Sequence, residues 1–220
     1  MTARTYGDGC GIAHALDLVG ERWALLVVRE LLLGPLRFSD LRAGLPGASP
    51  AVLSQRLRDL ERAGVVGRRE LPPPAASSVY ELTPHGAELE PIVIALGSWA
   101  LRSPMVPAGP VSAVSAMLTL RTYFRPAEAR PAMIQVRLGD RFYLVRVGAG
   151  GVEVTAGQAT TGDARVDTDP DTFVALLTGR LDLAESVESG AVRVDGDLAA
   201  VTRLVSGVSM PERPTRRAAG

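Results

Sequence analysis

Few residues of this 220-residue sequence have the chemistry to act as nucleophiles, bases or metal ligands, and their spacing argues against most such roles. The two histidines, His14 and His85, are far apart, and no serine–histidine–acid arrangement is readable. Cys10 and His14 stand one helical turn apart, but two ligands make no zinc site and there is no second cysteine. Asp167, Asp169 and Asp171 alternate around Pro170 as calcium ligands would. A strand end, a helix cap and an acidic first turn account for the same three residues without a metal. The glycines at 148, 150 and 151 precede no helix that could cradle a phosphate, and read as a hairpin. The expectation is a protein with no metal, no cofactor and no catalytic centre. Cys10 keeps two readings: a thiol that answers oxidants by joining another chain or a small thiol, or a small apolar residue.

Hydrogen-bond chemistry towards DNA is written more densely. Across residues 37–69 there are seven arginines against three acids, a local net of +4, in a chain whose formal net charge is zero. Ser49, Ala51, Ser54, Gln55, Arg58 and Arg62 fall on one side of a helical segment, short near its start and polar or cationic beyond. Arg37 and Ser39 precede them, and Arg68 and Arg69 follow on an extended stretch. Short side chains let a helix approach base edges, amides and guanidinium groups read those edges, and further arginines hold phosphates. With no global positive field, binding rests on this local face and should fall steeply with salt. The alternative is a protein-contact module whose arginines are simply solvated.

To hold that face outward, the flanking sequence must supply a helix, a turn, a second helix and a β-hairpin. Leu53, Leu57 and Leu60 recur at i, i+4 and i+7 and turn one stripe of the second helix inward. Ser49 followed by Pro50 is an N-cap with proline at the first helical position, and Gly64 stops the helix. Val65 and Val66 start a strand, and residues 79–82 return as another. The wing tip between them, residues 72–78, holds three prolines and two serines, and should be exposed and weakly ordered. Residues 13–19 and 21–33 predict two scaffold helices ahead of this unit, the second through Trp23, Leu26, Val27, Glu30 and Leu31. Residues 84–101 predict one helix behind it, with Leu89, Ile92, Val93, Leu96 and Ala100 on one face and Ile94, Trp99 and Leu101 elsewhere. A helix apolar around most of its circumference needs a second partner, either another copy of the chain or the remainder of this one.

The stretches LVGERWALLVVREL, GPLRFSDLRAGLPGASPAVLSQRLRDLERAGVV and YELTPHGAELEPIV, behind an N-terminal cysteine, resemble the HxlR-type winged-helix regulators of bacteria over residues 10–99. The resemblance implies a homodimer on a double-stranded, inverted-repeat operator, often responsive to a small molecule or to oxidative stress. It places Arg37, Ser49, Ser54, Gln55 and Arg58 on the DNA-facing surface and makes Cys10 a redox switch in several members. Here Gly11 follows the cysteine where the family usually has proline.

More than half of the chain lies beyond that match. Hydrophobic residues make up 46% of it, yet no apolar run approaches the roughly eighteen residues of a membrane span, so a cytoplasmic protein is expected. All 24 basic residues are arginine, which reads as the mark of a GC-rich genome. Three prolines in residues 103–110 mark a linker between residues 1–102 and a second domain at 111–210, with a disordered tail at 211–220. Residues 111–123 predict a helix; 132–138, 141–147 and 151–155 a meander; 164–168 a further strand. Helices follow at 170–177 and 182–187, then a strand at 192–194 and a helix capped by Asp197. This order predicts an α+β domain with helices packed on an antiparallel sheet. Residues 111–207 resemble the sterol-carrier-protein type 2-like fold, which implies an apolar tunnel. Phe142, Leu144, Phe173, Leu176, Leu177 and Leu204 are its lining candidates, each also explicable as ordinary core. Two further readings stay open: a hydrophobic-ligand carrier that uses the winged helix for assembly, and a redox regulator acting through Cys10.

Overall fold

The computed structural model describes residues 5–72, 77–103, 105, 109–125 and 130–211. Contacts divide the chain into two units, Met1–Ala95 and Leu96–Gly220. The first is a winged helix-turn-helix built from α1 (Gly11–Val19), α2 (Ala24–Leu31), α3 (Phe38–Gly44), α4 (Pro50–Arg62), β1 (Val66–Glu70), β2 (Ser78–Leu82) and α5 (Pro84–Ala87). The wing tip at residues 73–76, most of the linker and the tail at 212–220 lie outside the described residues. The strands pair antiparallel from Val66↔Leu82 to Glu70↔Ser78. Leu36 adds a one-residue rung by exchanging backbone hydrogen bonds with Tyr80 at 2.9 and 2.8 Å. Val27, Val28, Leu41, Leu53, Leu57 and Leu60 form the centre of the core. Glu30 is buried among them, its Oε1 accepting from Arg29 at 3.1 and 2.7 Å.

Two helices differ most from their expected limits. The second scaffold helix begins at Ala24, because Trp23 takes a left-handed φ of 77°, uncommon outside glycine. The helix expected over 84–101 is two: α5, then α6 (Glu90–Leu101). Pro91 explains the break, since its ring would collide with the carbonyl one turn back in a continuous helix and is at home in a first turn. α5 is also tied to the wing. Thr83 Oγ1 donates to the Gly64 carbonyl at 2.6 Å and accepts from the Gly86 N–H at 3.0 Å. A Cβ on Gly86 would lie 1.9 Å from the Val65 carbonyl oxygen, so only glycine allows this approach.

The second unit is α+β: α7 (Ala113–Tyr123), β3 (Ala132–Leu138), β4 (Arg141–Gly148), β5 (Gly151–Ala156), β6 (Ala164–Thr168), α8 (Pro170–Leu177), α9 (Leu183–Glu188), β7 (Arg193–Gly196) and α10 (Leu198–Ser206). Ser112, Asp169, Asp182 and Asp197 each cap a helix by accepting from the N–H three residues on. The strand order is β5-β4-β3-β6-β7. The expected antiparallel sheet holds for three pairings and not for β3–β6, which run parallel from Ile134↔Ala164 to Leu138↔Thr168. The cause is the connection at residues 157–163, which crosses the sheet and returns the chain to the start of β3. Gln135 pins it. This buried amide donates to the Gly157 carbonyl at 3.2 Å and accepts from the Ala159 N–H.

Candidate nucleic-acid interface

α4 is positioned from its buried side. Leu53, Leu57 and Leu60 are at most 1% exposed, so the opposite side must face out. Ser49 caps the helix through its Oγ, which accepts from the Val52 N–H at 3.3 Å. Ahead of the cap, the Trp23 ring presses on Gly47, where a Cβ would lie 2.8 Å from the indole. The turn between α3 and α4 is thereby fixed by an aromatic from the start of α2.

On the outward face Ser49, Ala51, Arg58 and Arg62 are exposed, and Ser54 and Gln55 are half-buried. Three of these side chains form a chain of hydrogen bonds. Arg58 donates to Gln55 Oε1 at 2.7 Å, Gln55 Nε2 donates to Asp59 Oδ1 at 2.8 Å, and Arg62 also donates to Asp59. Asp59 is held from behind by Arg56, 15% exposed, at 2.9 Å. At the start of α3 Arg37 and Ser39 are both exposed, the Arg37 N–H donating to Asp40 at 3.2 Å.

The wing arginines are engaged unequally. Arg68 donates to Ser78 and lies 3.6 Å from Glu70. Arg69 grips Glu81 diagonally across the hairpin with bonds of 3.0, 3.1 and 2.9 Å. These hydrogen bonds, with the charge of the partner, raise the guanidinium pKa and lower the Glu81 carboxyl below the usual glutamate range. Arg69 is therefore already occupied in the free protein, whereas among the described residues Arg37, Arg42 and Arg58 carry no ion pair. Sequence reasoning passed over Asp59, Arg56 and Glu81. Spacing held the signal for the first two, at i+4 and i+1 from Gln55; Glu81 required the strand register.

Cys10 is exposed at the cap of α1, its Sγ accepting from the Ala13 N–H at 3.4 Å. The three alternating aspartates have separate tasks. Asp167 pairs with Arg137 at 3.0 Å, and Asp171 accepts from the Val111 N–H at 2.9 Å. Asp169 caps α8; burial alone would raise its carboxyl pKa, but hydrogen bonds from Thr172 outweigh that and lower it.

The tunnel candidates of the second unit do not share one space. Phe173, Leu176, Leu177 and Leu204 are 1–3% exposed, within the helix-side core. Phe142 and Leu144 alternate with the buried Tyr143 and Val145, and pair with Arg137 and Gln135 on the other face of the sheet. A hollow lined by Phe124, Leu204, Arg130 and Arg203 has a cavity volume of about 10 Å³, room for one water.

Comparison with known proteins divides the chain in the same way. Residues 18–105 match the HxlR-like helix-turn-helix family and residues 119–207 the SCP-2 sterol transfer family. An uncharacterized HTH-type transcriptional regulator of Bacillus subtilis is 43% identical over 86 residues, covering 39% of this chain and 80% of the relative. One from Synechocystis is 40% identical over 90 residues, 41% of this chain and 67% of the relative. A Mycobacterium tuberculosis relative, also named an uncharacterized HTH-type transcriptional regulator, is 32% identical over 133 residues, 60% of this chain and 80% of its own. A buried leucine stripe behind a polar helix face, a wing, and these relatives lead to one assignment: the chain belongs to the HxlR-like helix-turn-helix family of transcriptional regulators, with a domain of the SCP-2 sterol transfer family behind its winged helix.

Proposed function

We propose that this regulator binds an inverted-repeat operator as a homodimer, with α4 in the major groove and the wing beside it on the backbone. The observation that carries this reading is the two-sided build of α4: three leucines seal one side, and Ser49, Ala51, Ser54, Gln55, Arg58 and Arg62 occupy the other. Arg37, Ser39 and Arg68, all exposed, supply phosphate contacts, as Arg69 does once it leaves Glu81. The two-fold reading is supported by α6, an apolar helix with no buried residue, on which Ile92, Leu96 and Trp99 are exposed at i, i+4 and i+7. The C-terminal domain responds to an apolar small molecule and biases the spacing of the two α4 helices. No described helix is long and apolar enough to cross a membrane, in keeping with action on DNA in a bacterial cytoplasm.

Fluorescence anisotropy on the DNA upstream of its own gene tests the assignment. Arg58→Ala should weaken the specific complex by about 1–3 kcal/mol while sparing random DNA. Equal affinities for wild type and variant would remove α4 as the reader. A redox response is favoured by one further observation, the exposed Sγ of Cys10 at a helix start. If diamide releases the Cys10→Ser protein from DNA as readily as the wild type, that response does not run through Cys10.

A further inference from the structure

The DNA face of α4 contains a carboxylate, which phosphates repel, and its bonding explains its presence. Asp59 accepts only. The Gln55 amide must therefore turn its NH₂ towards Asp59, at 2.8 Å, and its oxygen towards the Arg58 guanidinium, at 2.7 Å. Asp59 itself cannot swing away, because Arg56, mostly buried, holds it at 2.9 Å and Arg62 holds it from the exposed side. A glutamine reads adenine with amide hydrogen and oxygen together, and here both ends are engaged. What remains on offer is the rest of the Arg58 guanidinium, held in place, two of whose remaining N–H donors match the O6 and N7 acceptors of guanine.

We propose that Asp59 is a positioning residue for base specificity: by consuming the Gln55 amide it makes Gln55 and Arg58 a single guanine-reading unit. The inference rests on the DNA-binding role proposed for α4. Two opposite effects should follow from Asp59→Ala. Gln55 is released to pair with other bases and Arg58 to wander, so discrimination drops. At the same time a negative charge leaves the phosphate-facing surface, so affinity for unrelated DNA holds or rises. A purely structural residue would lower both affinities and the melting temperature.

The test begins by selecting duplexes from a random library with the full-length wild-type protein. Binding of the selected duplex, its single-base variants and a scrambled duplex is then measured for wild type, Asp59→Ala, Gln55→Ala and the double variant. The expected result for Asp59→Ala is a loss of roughly tenfold in preference for guanine at one position per half-site, with binding to the scrambled duplex unchanged or tighter. Gln55→Ala should show the same loss, and the double variant no more than either single. Should Asp59→Ala fail to fold, Gln55→Ala and its melting curve carry the comparison. Base preferences for both single variants identical to wild type, or a uniform loss together with a lowered melting temperature, overturn the inference and leave the DNA-binding role standing. A wild-type protein that enriches no sequence overturns both.

Discussion

Replacement of Trp99 by alanine should separate the proposed dimer, and the size of the effect can be worked from exposure. Trp99 is 67% exposed, and a side chain of its kind buries about 200 Å² when fully covered, which leaves about 130 Å² for a partner. At about 25 cal/mol per Å² that area contributes about 3 kcal/mol, and a two-fold interface counts it twice. Alanine keeps part of the contact and neighbours relax, so half of the doubled figure, about 3 kcal/mol, is a fair expectation. This corresponds to a dissociation constant roughly 150-fold weaker. Sedimentation velocity over a dilution series reads it directly. Operator binding should fall with it, since a lone winged helix cannot engage two half-sites about 34 Å apart. A dissociation constant within about threefold of wild type, in a variant with an unchanged melting curve, would refute α6 as the interface.

The wing and α5 give three sharper expectations. Glu81→Gln weakens the grip on Arg69, so affinity for random DNA should rise and the salt slope steepen by about one unit; an unchanged slope would mean that Arg69 stays away from phosphates. Because the folded-state pKa of Glu81 is depressed, its contribution to wing stability is complete above the ordinary glutamate range and is lost as pH falls through the lowered value. Carboxyl NMR should find its midpoint below that of an exposed glutamate, and Arg69→Ala should return it to normal. Gly86→Ala drives a methyl into the Val65 carbonyl and should cost about 2 kcal/mol, lowering the melting temperature of the first unit by about 10 °C. A change smaller than about 2 °C would show that α5 shifts without penalty.

Much of the architecture was legible because its signals are local. The leucine stripe of α4, the Ser49–Pro50 start, the Asp169 and Asp197 caps and the alternation of β3 and β6 are set by neighbours within a few residues, and all stand where they were expected. The departures arise where distant segments decide. Trp23 leaves the helical region at the start of α2, where its ring packs on Gly47. β6 runs parallel because a loop pinned by Gln135 crosses the sheet, which alternation within β6 cannot reveal. The site shows the same split. The outward residues of α4 follow from periodicity, whereas the pairing of Arg69 with Glu81 depends on hairpin register and engages that guanidinium in the free protein.

The second domain sets the most demanding condition on the proposed sensing role. Phe173, Leu176, Leu177 and Leu204 are packed to within 3% of full burial, so an alkyl-sized ligand has to part the helix layer from the sheet before it can enter. That cost lowers apparent affinity, but it also gives the ligand a preference between a closed and an opened state, without which it could shift nothing. Phe173→Ala tests this logic. It should destabilise the domain by about 3–5 kcal/mol and leave an apolar void. A ligand that enters under α8 then finds space already made, and should bind the variant more tightly while moving the DNA equilibrium less, because part of the opening has been done for it. Isothermal titration with a short-chain hydrocarbon alcohol, beside operator binding with and without it, reads both quantities. Weaker or unchanged ligand binding in a variant that remains folded would exclude entry beneath α8.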